Sequence, residues 1–191
     1  MAALLLIQMS GVPGAGKSTL ARTIGRHTGA VVLDHDVVKT ALLEAGVPWP
    51  DAGRASYQTL QVLAKSLLDQ QHSVVLDSPC LYQDLLDAGL RVAEETGACY
   101  RYVECVVDDF SEIDRRLRGR TSLSSQRAAL DAPPASFAGR EDASGEDLFQ
   151  EWANNMKRPP HSYLRVDTSH PLSEYLPQVL TFLAECNGDE E

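Results

Sequence analysis

Residues 11–19, GVPGAGKST, have the residue types and the spacing of a phosphate-binding loop. The pattern Gly-x-x-x-x-Gly-Lys-Ser/Thr of a P-loop begins at Gly11 and ends at Ser18. Glycines let the backbone approach a phosphate and turn its N–H groups towards the anion, while the lysine reaches the β- and γ-phosphates. The residues predicted to bind the nucleotide here are Gly11, Val12, Pro13, Gly14, Ala15, Gly16, Lys17, Ser18 and Thr19.

Aspartates follow several of the apolar, strand-like runs. Because ligands of open α/β sheets bind beyond the carboxyl ends of the strands, we expect these aspartates near the phosphate. Asp77 follows the apolar residues 74–76 and is predicted to bind Mg²⁺ together with Ser18. Asp36 is predicted to be the base that deprotonates an acceptor hydroxyl, with Asp34 as the rival base. The alternatives are structural: a strand-terminal aspartate for Asp77 and a helix N-cap for Asp36.

Basic residues complete the predicted site. Arg116 and Arg120 share one helical face and are predicted to neutralise charge on the transferring phosphoryl group, or else to stabilise a helix C-terminus. Lys39 lies one helical turn beyond Asp36, where it either holds an anionic substrate group or is a solvated lysine. The predicted catalytic residues are Asp36, Lys17, Arg116 and Arg120, and the predicted substrate-binding residues are Asp34, Asp36, Lys39 and Asp77.

Four further predictions concern the surroundings of the nucleotide and the substrate. Arg158 and Pro159 are expected in a loop against the adenine. His35 is expected to point elsewhere, as a filler or surface residue. Trp49 and Tyr82 lie in loops on the expected substrate side, where each is either a pocket wall or a structural aromatic.

Strand-like and helix-like segments alternate along the whole chain. Strands are predicted at residues 4–9, 31–33, 73–77, 100–107 and 163–167. Helices are predicted at residues 17–27, 37–45, 54–71, 83–95, 110–118, 147–157 and 172–185. This order indicates one α/β domain over residues 1–191, with a mostly parallel sheet covered on both faces. Residues 121–145, rich in Ser, Ala, Pro and Gly, suggest a mobile lid or a disordered insertion at about residues 119–146.

Charge and composition restrict the classes of function. The net charge is −10 over 191 residues, which argues against an extended nucleic-acid surface but not against a short strand end held in a local basic pocket. The four cysteines lack zinc-site spacing, and we expect them to be reduced thiols. No apolar run approaches the ~18 residues of a membrane span, and the apolar N-terminus is predicted to be the first strand. A cytoplasmic protein is therefore expected.

Five segments occur in the order found in small P-loop kinases: GVPGAGKST, DHDVVK, VVLDS, RRLRGR and KRPP…YLRVDTS. The chain resembles the group containing bacteriophage polynucleotide 5′-kinase, chloramphenicol phosphotransferase, gluconate kinase and zeta-toxin-type kinases, over residues 4–183. The resemblance implies an adenylate-kinase-like core with sheet order 2-3-1-4-5. It also implies an aspartate base at Asp36 and a substrate-contacting basic residue at Lys39, where the family more often has arginine.

The predicted activity is ATP- and Mg²⁺-dependent transfer of the γ-phosphate to a hydroxyl of a small molecule. ATP is favoured because the chain lacks the Asn-Lys-x-Asp motif of guanine-binding proteins. One alternative is a polynucleotide 5′-hydroxyl kinase, and another is a nucleotide-binding regulatory protein with little transfer activity. A toxin-like kinase acting on a nucleotide sugar is also compatible with the sequence.

Overall fold

Five strands form one parallel sheet in the computed structural model, which describes residues 3–137, 145–161 and 163–187. The strands are β1 (Leu5–Ser10), β2 (Val31–Asp34), β3 (Val74–Asp77), β4 (Cys99–Val106) and β5 (Tyr163–Asp167). Their order is β2-β3-β1-β4-β5, and neighbouring strands are parallel. The predicted α/β class and the predicted order 2-3-1-4-5 are confirmed. Every strand lies within one residue of its predicted bounds.

Seven α-helices are present in the described residues. They are α1 (Lys17–Thr28), α2 (His35–Glu44), α3 (Trp49–Asp69), α4 (Gln83–Thr96), α5 (Phe110–Gly119), α6 (Glu146–Asn155) and α7 (Leu172–Ala184). The largest difference from prediction is that α3 begins at Trp49, five residues early. Pro50 lies in the first turn of α3, where a missing N–H costs no hydrogen bond, so the proline starts the helix rather than preventing it. None of the helices described here is long and apolar enough to span a membrane.

The sheet is buried on both faces because side chains alternate along each strand. In β1, Ile7 and Met9 pack on one face, against a cluster that includes residues of α1, α5, α6 and α7. Leu6 packs on the other face, where α3 and α4 contribute the buried residues. This three-layer arrangement leaves the carboxyl ends of the strands as the edge at which α1, α2 and the adjoining loops meet.

A disulfide joins Cys99, at the start of β4, to Cys186, in the short 3-10 helix Glu185–Asn187. The expectation that all four cysteines are reduced is therefore wrong for this pair. Nothing in the local sequence signals the bridge, because 87 residues separate its two halves. Cys80 and Cys105 are buried free thiols, as expected.

The segment between α5 and α6, predicted to be a lid, packs against α2 and α3 where the structure describes it. The Ser125 hydroxyl lies 2.8 Å from the Thr40 hydroxyl, and the ring of Phe137 meets the edge of Trp49 at a centroid distance of 5.1 Å. Leu130 is part of the main core. Residues 138–144 of the predicted lid lie outside the described residues. Whether the segment is mobile, and whether residues 1–191 form one domain, stay predictions.

Candidate active site

The loop between β1 and α1 has the backbone that its glycines predict. Gly11, Gly14 and Gly16 have φ angles of 127°, 83° and 86°, which L-residues with a side chain rarely adopt. Space is also restricted at two of them. A Cβ on Gly14 would lie 2.9 Å from Cγ2 of Ile113, and one on Gly11 would collide with the carbonyl oxygen of Cys105. The loop is therefore held tightly against β4 and α5.

Lys17 follows the loop as the first residue of α1. Its ammonium group donates hydrogen bonds to the carbonyl oxygens of Gly11 (2.9 Å) and Val12 (3.0 Å). Burial lowers the pKa of Lys17, while the neighbouring carboxylates of Asp77 and Asp36 oppose this effect. The ammonium group thus lies at the loop, where a phosphate oxygen could replace the carbonyl groups as its partner.

Asp77 ends β3 as an almost fully buried side chain, 3% exposed. Its Oδ2 atom is buried and has no hydrogen-bond partner among the described residues. Burial raises the pKa of Asp77 to about 6; Ser18 and Lys17 act in the opposite direction, whereas Asp34 and Asp36 add to the rise. An unpartnered buried carboxylate oxygen beside a serine hydroxyl is a suitable ligand pair for a hard cation.

The residues present therefore fit Mg²⁺ when it is bound to a nucleotide. No group of three or more His, Cys, Asp and Glu side chains suited to a metal is found within the described ranges. Nucleotide-bound Mg²⁺ needs few protein ligands, because phosphate oxygens and water complete its octahedron. Ser18 and Asp77 would be those ligands.

Asp36 lies near the start of α2 with its side chain 37% exposed. One oxygen, Oδ2, accepts a 2.8 Å hydrogen bond from the Gln126 amide, and the other lies 3.4 Å from Nδ1 of His35. Burial disfavours the ionised form, but the hydrogen bonds of His35 and Gln126 and the charge of Lys17 outweigh it, so the pKa of Asp36 is lowered. The carboxylate is therefore ionised, oriented and partly accessible.

His35 does not point away from the site, contrary to prediction. It is buried, and its ring stacks on Tyr57 at a centroid distance of 3.9 Å. Its Nε2 atom lies 2.9 Å from the Ser56 hydroxyl. The reason is that α2 begins at His35 rather than at residue 37, which turns this side chain inwards towards α3.

Asp34, the rival base, is the N-cap of α2. Its Oδ1 atom accepts hydrogen bonds from the backbone N–H groups of Asp36 (2.9 Å) and Val37 (3.4 Å), and Oδ2 lies 3.4 Å from the Arg22 guanidinium. The capping role considered for Asp36 therefore belongs to Asp34. Asp36 lines the cavity in front of the loop and Asp34 does not, and the Asp34 side chain is less exposed (14% against 37%), so the geometry favours Asp36 as the base.

The two arginines predicted to act on phosphate both reach the loop. Arg116 is held by Glu112 (2.6 Å) and by the backbone oxygen of Thr168 (2.7 Å). Arg120 donates one hydrogen bond to the backbone oxygen of Arg127 (3.1 Å), whereas its buried Nε has no partner in the described residues. Both side chains line the cavity in front of the loop, where Arg120 can face an anion directly and Arg116 can do so while it stays paired with Glu112.

A cavity of ≈ 550 Å³ lies in front of the loop, and we call it the phosphate cavity. Its walls contain most of the predicted site residues together with several that were not predicted. They are Pro13, Gly14, Gly16, Lys17, Ser18, Thr19, His35, Asp36, Lys39, Tyr57, Asp77, Ser78, Pro79, Arg116, Arg120, Thr168, His170, Leu172 and Tyr175. Gly11 and Val12 border a different cavity, and Ala15 is buried beneath the loop.

Arg158 and Pro159 are not in the walls of the phosphate cavity, and their place against the adenine stays a prediction. Arg158 forms a two-pronged ion pair with buried Glu104 at 2.5 Å and 2.7 Å, and it borders the separate cavity behind the loop. The loop after β5, with Thr168 and His170, contributes to the phosphate cavity instead. Glu104, the partner of Arg158, belongs to β4. The two residues come close to each other only because of the way the strands pair.

A second cavity, ≈ 660 Å³, opens beside the first, and we call it the side cavity. It lies between α2, α3 and the segment that leads into α4, and His35, Lys39 and Tyr57 line both cavities. Lys39 is not a solvated lysine: its ammonium group lies 3.7 Å from the centroid of the Trp49 ring. Burial lowers the pKa of Lys39, and the charge of Asp36 opposes this change.

Sequence reasoning missed Gln126, Tyr57 and Thr168. Gln126 lies in the Ser/Ala-rich segment and reaches Asp36 across 90 positions of the chain. Tyr57 lies near the start of the predicted helix 54–71, where no local pattern marks it as a site residue. Only Thr168, directly after the last strand, carried a usable signal, because residues at strand ends face the ligand edge of such sheets.

The strand order, the loop and the surrounding charges define a P-loop fold of the kinase type. The family model AAA_33, described as an AAA domain, matches residues 6–138. The chain belongs to this family.

Relatives and solved structures agree with this assignment. An uncharacterized protein of Mycobacterium tuberculosis (strain ATCC 25618 / H37Rv) is 31% identical over 139 residues, which cover 65% of this chain. The match covers 28% of that protein, so this chain corresponds to less than a third of the curated relative.

Three solved structures share the fold over almost the whole chain. A sugar kinase of Janibacter sp. HTCC2649 has a TM-score of 0.64 at 20% identity, covering 95% of this chain and 94% of that one. A gluconokinase of Sinorhizobium meliloti 1021 has a TM-score of 0.60 at 18% identity, with coverage of 97% and 93%. The APS kinase CysC of Mycobacterium tuberculosis, in complex with AMPPNP and APS, has a TM-score of 0.63 at 18% identity, with coverage of 96% and 99%. The resemblance to small P-loop kinases is thus confirmed at the level of fold.

Proposed function

We propose that this chain is an ATP- and Mg²⁺-dependent kinase that transfers the γ-phosphate to a hydroxyl group of a small molecule. The observation that carries the proposal is the position of Asp36. Its ionised carboxylate faces the phosphate cavity, close to His35 and Lys39, which line both cavities. An acceptor in the side cavity can therefore present a hydroxyl to Asp36 while ATP occupies the loop.

The phosphates would be held by the loop N–H groups, by Lys17 and by the N-terminal end of α1. Arg116 and Arg120 would balance charge on the transferring group. Mg²⁺ bound by Ser18 and Asp77 would neutralise phosphate charge, which is the chemistry that the cation supplies. That the solved kinase of the same fold binds AMPPNP supports ATP as the nucleotide.

Asp36 would accept the proton of the acceptor hydroxyl. The acceptor oxygen then bonds to the γ-phosphorus as the bond from phosphorus to the β,γ-bridging oxygen breaks, which yields a phosphate ester and ADP. Gln126 is a positioning residue, because its hydrogen bond to Oδ2 directs the other oxygen of Asp36 and keeps the carboxylate ionised.

The test is a phosphoryl-transfer screen with γ-labelled ATP, Mg²⁺ and a panel of alcohols, sugars, nucleosides and an oligonucleotide with a 5′-hydroxyl. Asp36→Asn should lower kcat by about 10²- to 10⁴-fold, the usual contribution of a general base, with ATP affinity nearly unchanged. Asp69→Asn, which alters an exposed aspartate on α3, is the matched control and should keep full activity. Full turnover by Asp36→Asn would reject the assigned base, and ATP binding without transfer to any acceptor would favour a regulatory role.

A further inference from the structure

We infer that the side cavity binds an alcohol whose body is a flat aromatic ring system, rather than a free sugar, sugar acid or other polyol. The inference rests on the proposed function, because it names the class of acceptor that would meet Asp36. It is carried by the walls of the cavity, their size and their charge.

The walls are mainly aromatic and aliphatic. They include Trp49, at the start of α3, and the pair Tyr57 and Tyr82, whose rings lie edge to face at 6.5 Å. Leu81 and Leu85 extend this apolar surface along the segment that enters α4. Tyr82 is 60% exposed, so much of its ring surface is accessible to a ligand in the cavity.

A polyol would gain little from such walls. Each hydroxyl that leaves water needs a new hydrogen-bond partner, and a buried unpaired hydroxyl is costly. Of the polar groups at the cavity, His35 bonds to Ser56 and Arg54 lies 3.3 Å from Asp51, while the buried Oε1 atom of Gln61 has no partner among the described residues and could accept one hydrogen bond, fewer than a polyol needs. An aromatic body instead buries apolar area and stacks on the rings that are present.

The size and the charge of the cavity narrow the class further. A volume of ≈ 660 Å³ is in the range of sites that enclose drug-sized ligands, and it exceeds what a single sugar ring fills. Within the described residues no carboxylate lies within ion-pair distance of the Lys39 ammonium group, which rests on the Trp49 ring. The cavity is lined by Lys39 and Arg54 but also by Asp84, so its mixed charge fits a neutral aromatic alcohol better than a strongly charged one.

The segment between α5 and α6 contacts one wall of this cavity and the proposed base. The rings of Phe137 and Trp49 lie at a steep angle to each other with a centroid distance of 5.1 Å, and Gln126 of the same segment bonds to Asp36. A bound aromatic body would lie against rings from α3 and from the segment before α4, with its hydroxyl directed towards His35, Lys39 and Tyr57, which line both cavities.

Binding can be tested separately from transfer. Saturation-transfer NMR with the wild-type protein would compare tryptophol and 2-phenylethanol with sorbitol, glucose and gluconate at equal concentrations. We expect signals from the aromatic probes only. Tyr82→Ala should weaken their binding by about tenfold, whereas the control Tyr163→Ala, an exposed tyrosine on β5, should leave it unchanged. Ala88→Phe places a large side chain from α4 in the cavity and should abolish binding of the aromatic probes. It tests the cavity independently of Tyr82→Ala.

The outcomes separate the two proposals. Binding and phosphorylation of sugars or gluconate, with no competition by aromatic probes, would overturn the aromatic class but retain the kinase. Aromatic binding that responds to Tyr82→Ala, without phosphoryl transfer to any compound, would retain the ligand class but reject the kinase. Aromatic binding that is equal in wild type and in both cavity variants would overturn the site.

Discussion

Asp77 gives the most quantitative prediction, since its burial has a cost that can be measured in the metal-free protein. Replacing it by asparagine keeps the shape but removes the charge. The pKa of the buried carboxyl is raised from 3.8 to about 6, chiefly by burial. At 1.36 kcal/mol for each tenfold change, ionised Asp77 destabilises the folded state by about 3 kcal/mol at pH values well above 6.

The pH dependence follows from which state binds the proton. Below the unfolded pKa of 3.8 the group is protonated in both states and costs nothing. As the pH rises from 3.8 to about 6, the unfolded carboxyl ionises while the folded one stays protonated, so stability is lost across this window. Above it the loss is complete and constant. Roughly 2 kcal/mol of this loss in the free energy of unfolding should occur between about pH 4.5 and about pH 7.5.

Urea unfolding in EDTA, without nucleotide, measures this effect for wild type and Asp77→Asn at both pH values. The variant should be the more stable protein, and its advantage should grow as the pH rises. Asp87→Asn, at an exposed residue of α4, should follow the pH dependence of the wild type. An advantage of Asp77→Asn that does not change with pH would refute the reasoning. Burial disfavours the ionised carboxylate of Asp77 in the metal-free protein, and bound Mg²⁺ would stabilise that same carboxylate.

Two further predictions concern the base and the loop. Gln126→Leu removes a hydrogen bond to the charged carboxylate of Asp36, so kcat/KM should fall about tenfold. Because the pKa of Asp36 then rises, the acid limb of the pH profile of kcat/KM should move to higher pH. The control Gln83→Leu removes an equally short but exposed hydrogen bond to a carboxylate and should change neither quantity. An unmoved acid limb would mean that Gln126 does not position the base. Gly14→Ala should weaken ATP binding, measured by calorimetry, because the added Cβ forces a strained φ of 83° and contacts α5. The control Gly119→Ala places its Cβ where no other atom lies within 4 Å, so it should bind ATP normally. Equal affinities of the two variants would contradict a rigid loop.

Local sequence patterns were sufficient to predict those features whose residues all lie within one short stretch of the chain. The loop is such a case, because the glycine conformations, the lysine and the serine lie within eight consecutive residues. The strand bounds are another, since short apolar runs of three to eight residues between turn signals have few alternatives. The start of α3 was misplaced, because a proline reads as a break in sequence but fits the first turn of a helix.

The sequence by itself determined the phosphate loop, the five strands and the aspartates at their ends, because each follows from short-range spacing. Only the tertiary structure decided which aspartate caps α2 and which is open to the cleft. It also brought Gln126 onto Asp36, paired Arg158 with Glu104 and joined Cys99 to Cys186. These contacts connect residues far apart in the chain, so they depend on how the sheet and the lid segment pack, and no local pattern encodes that packing.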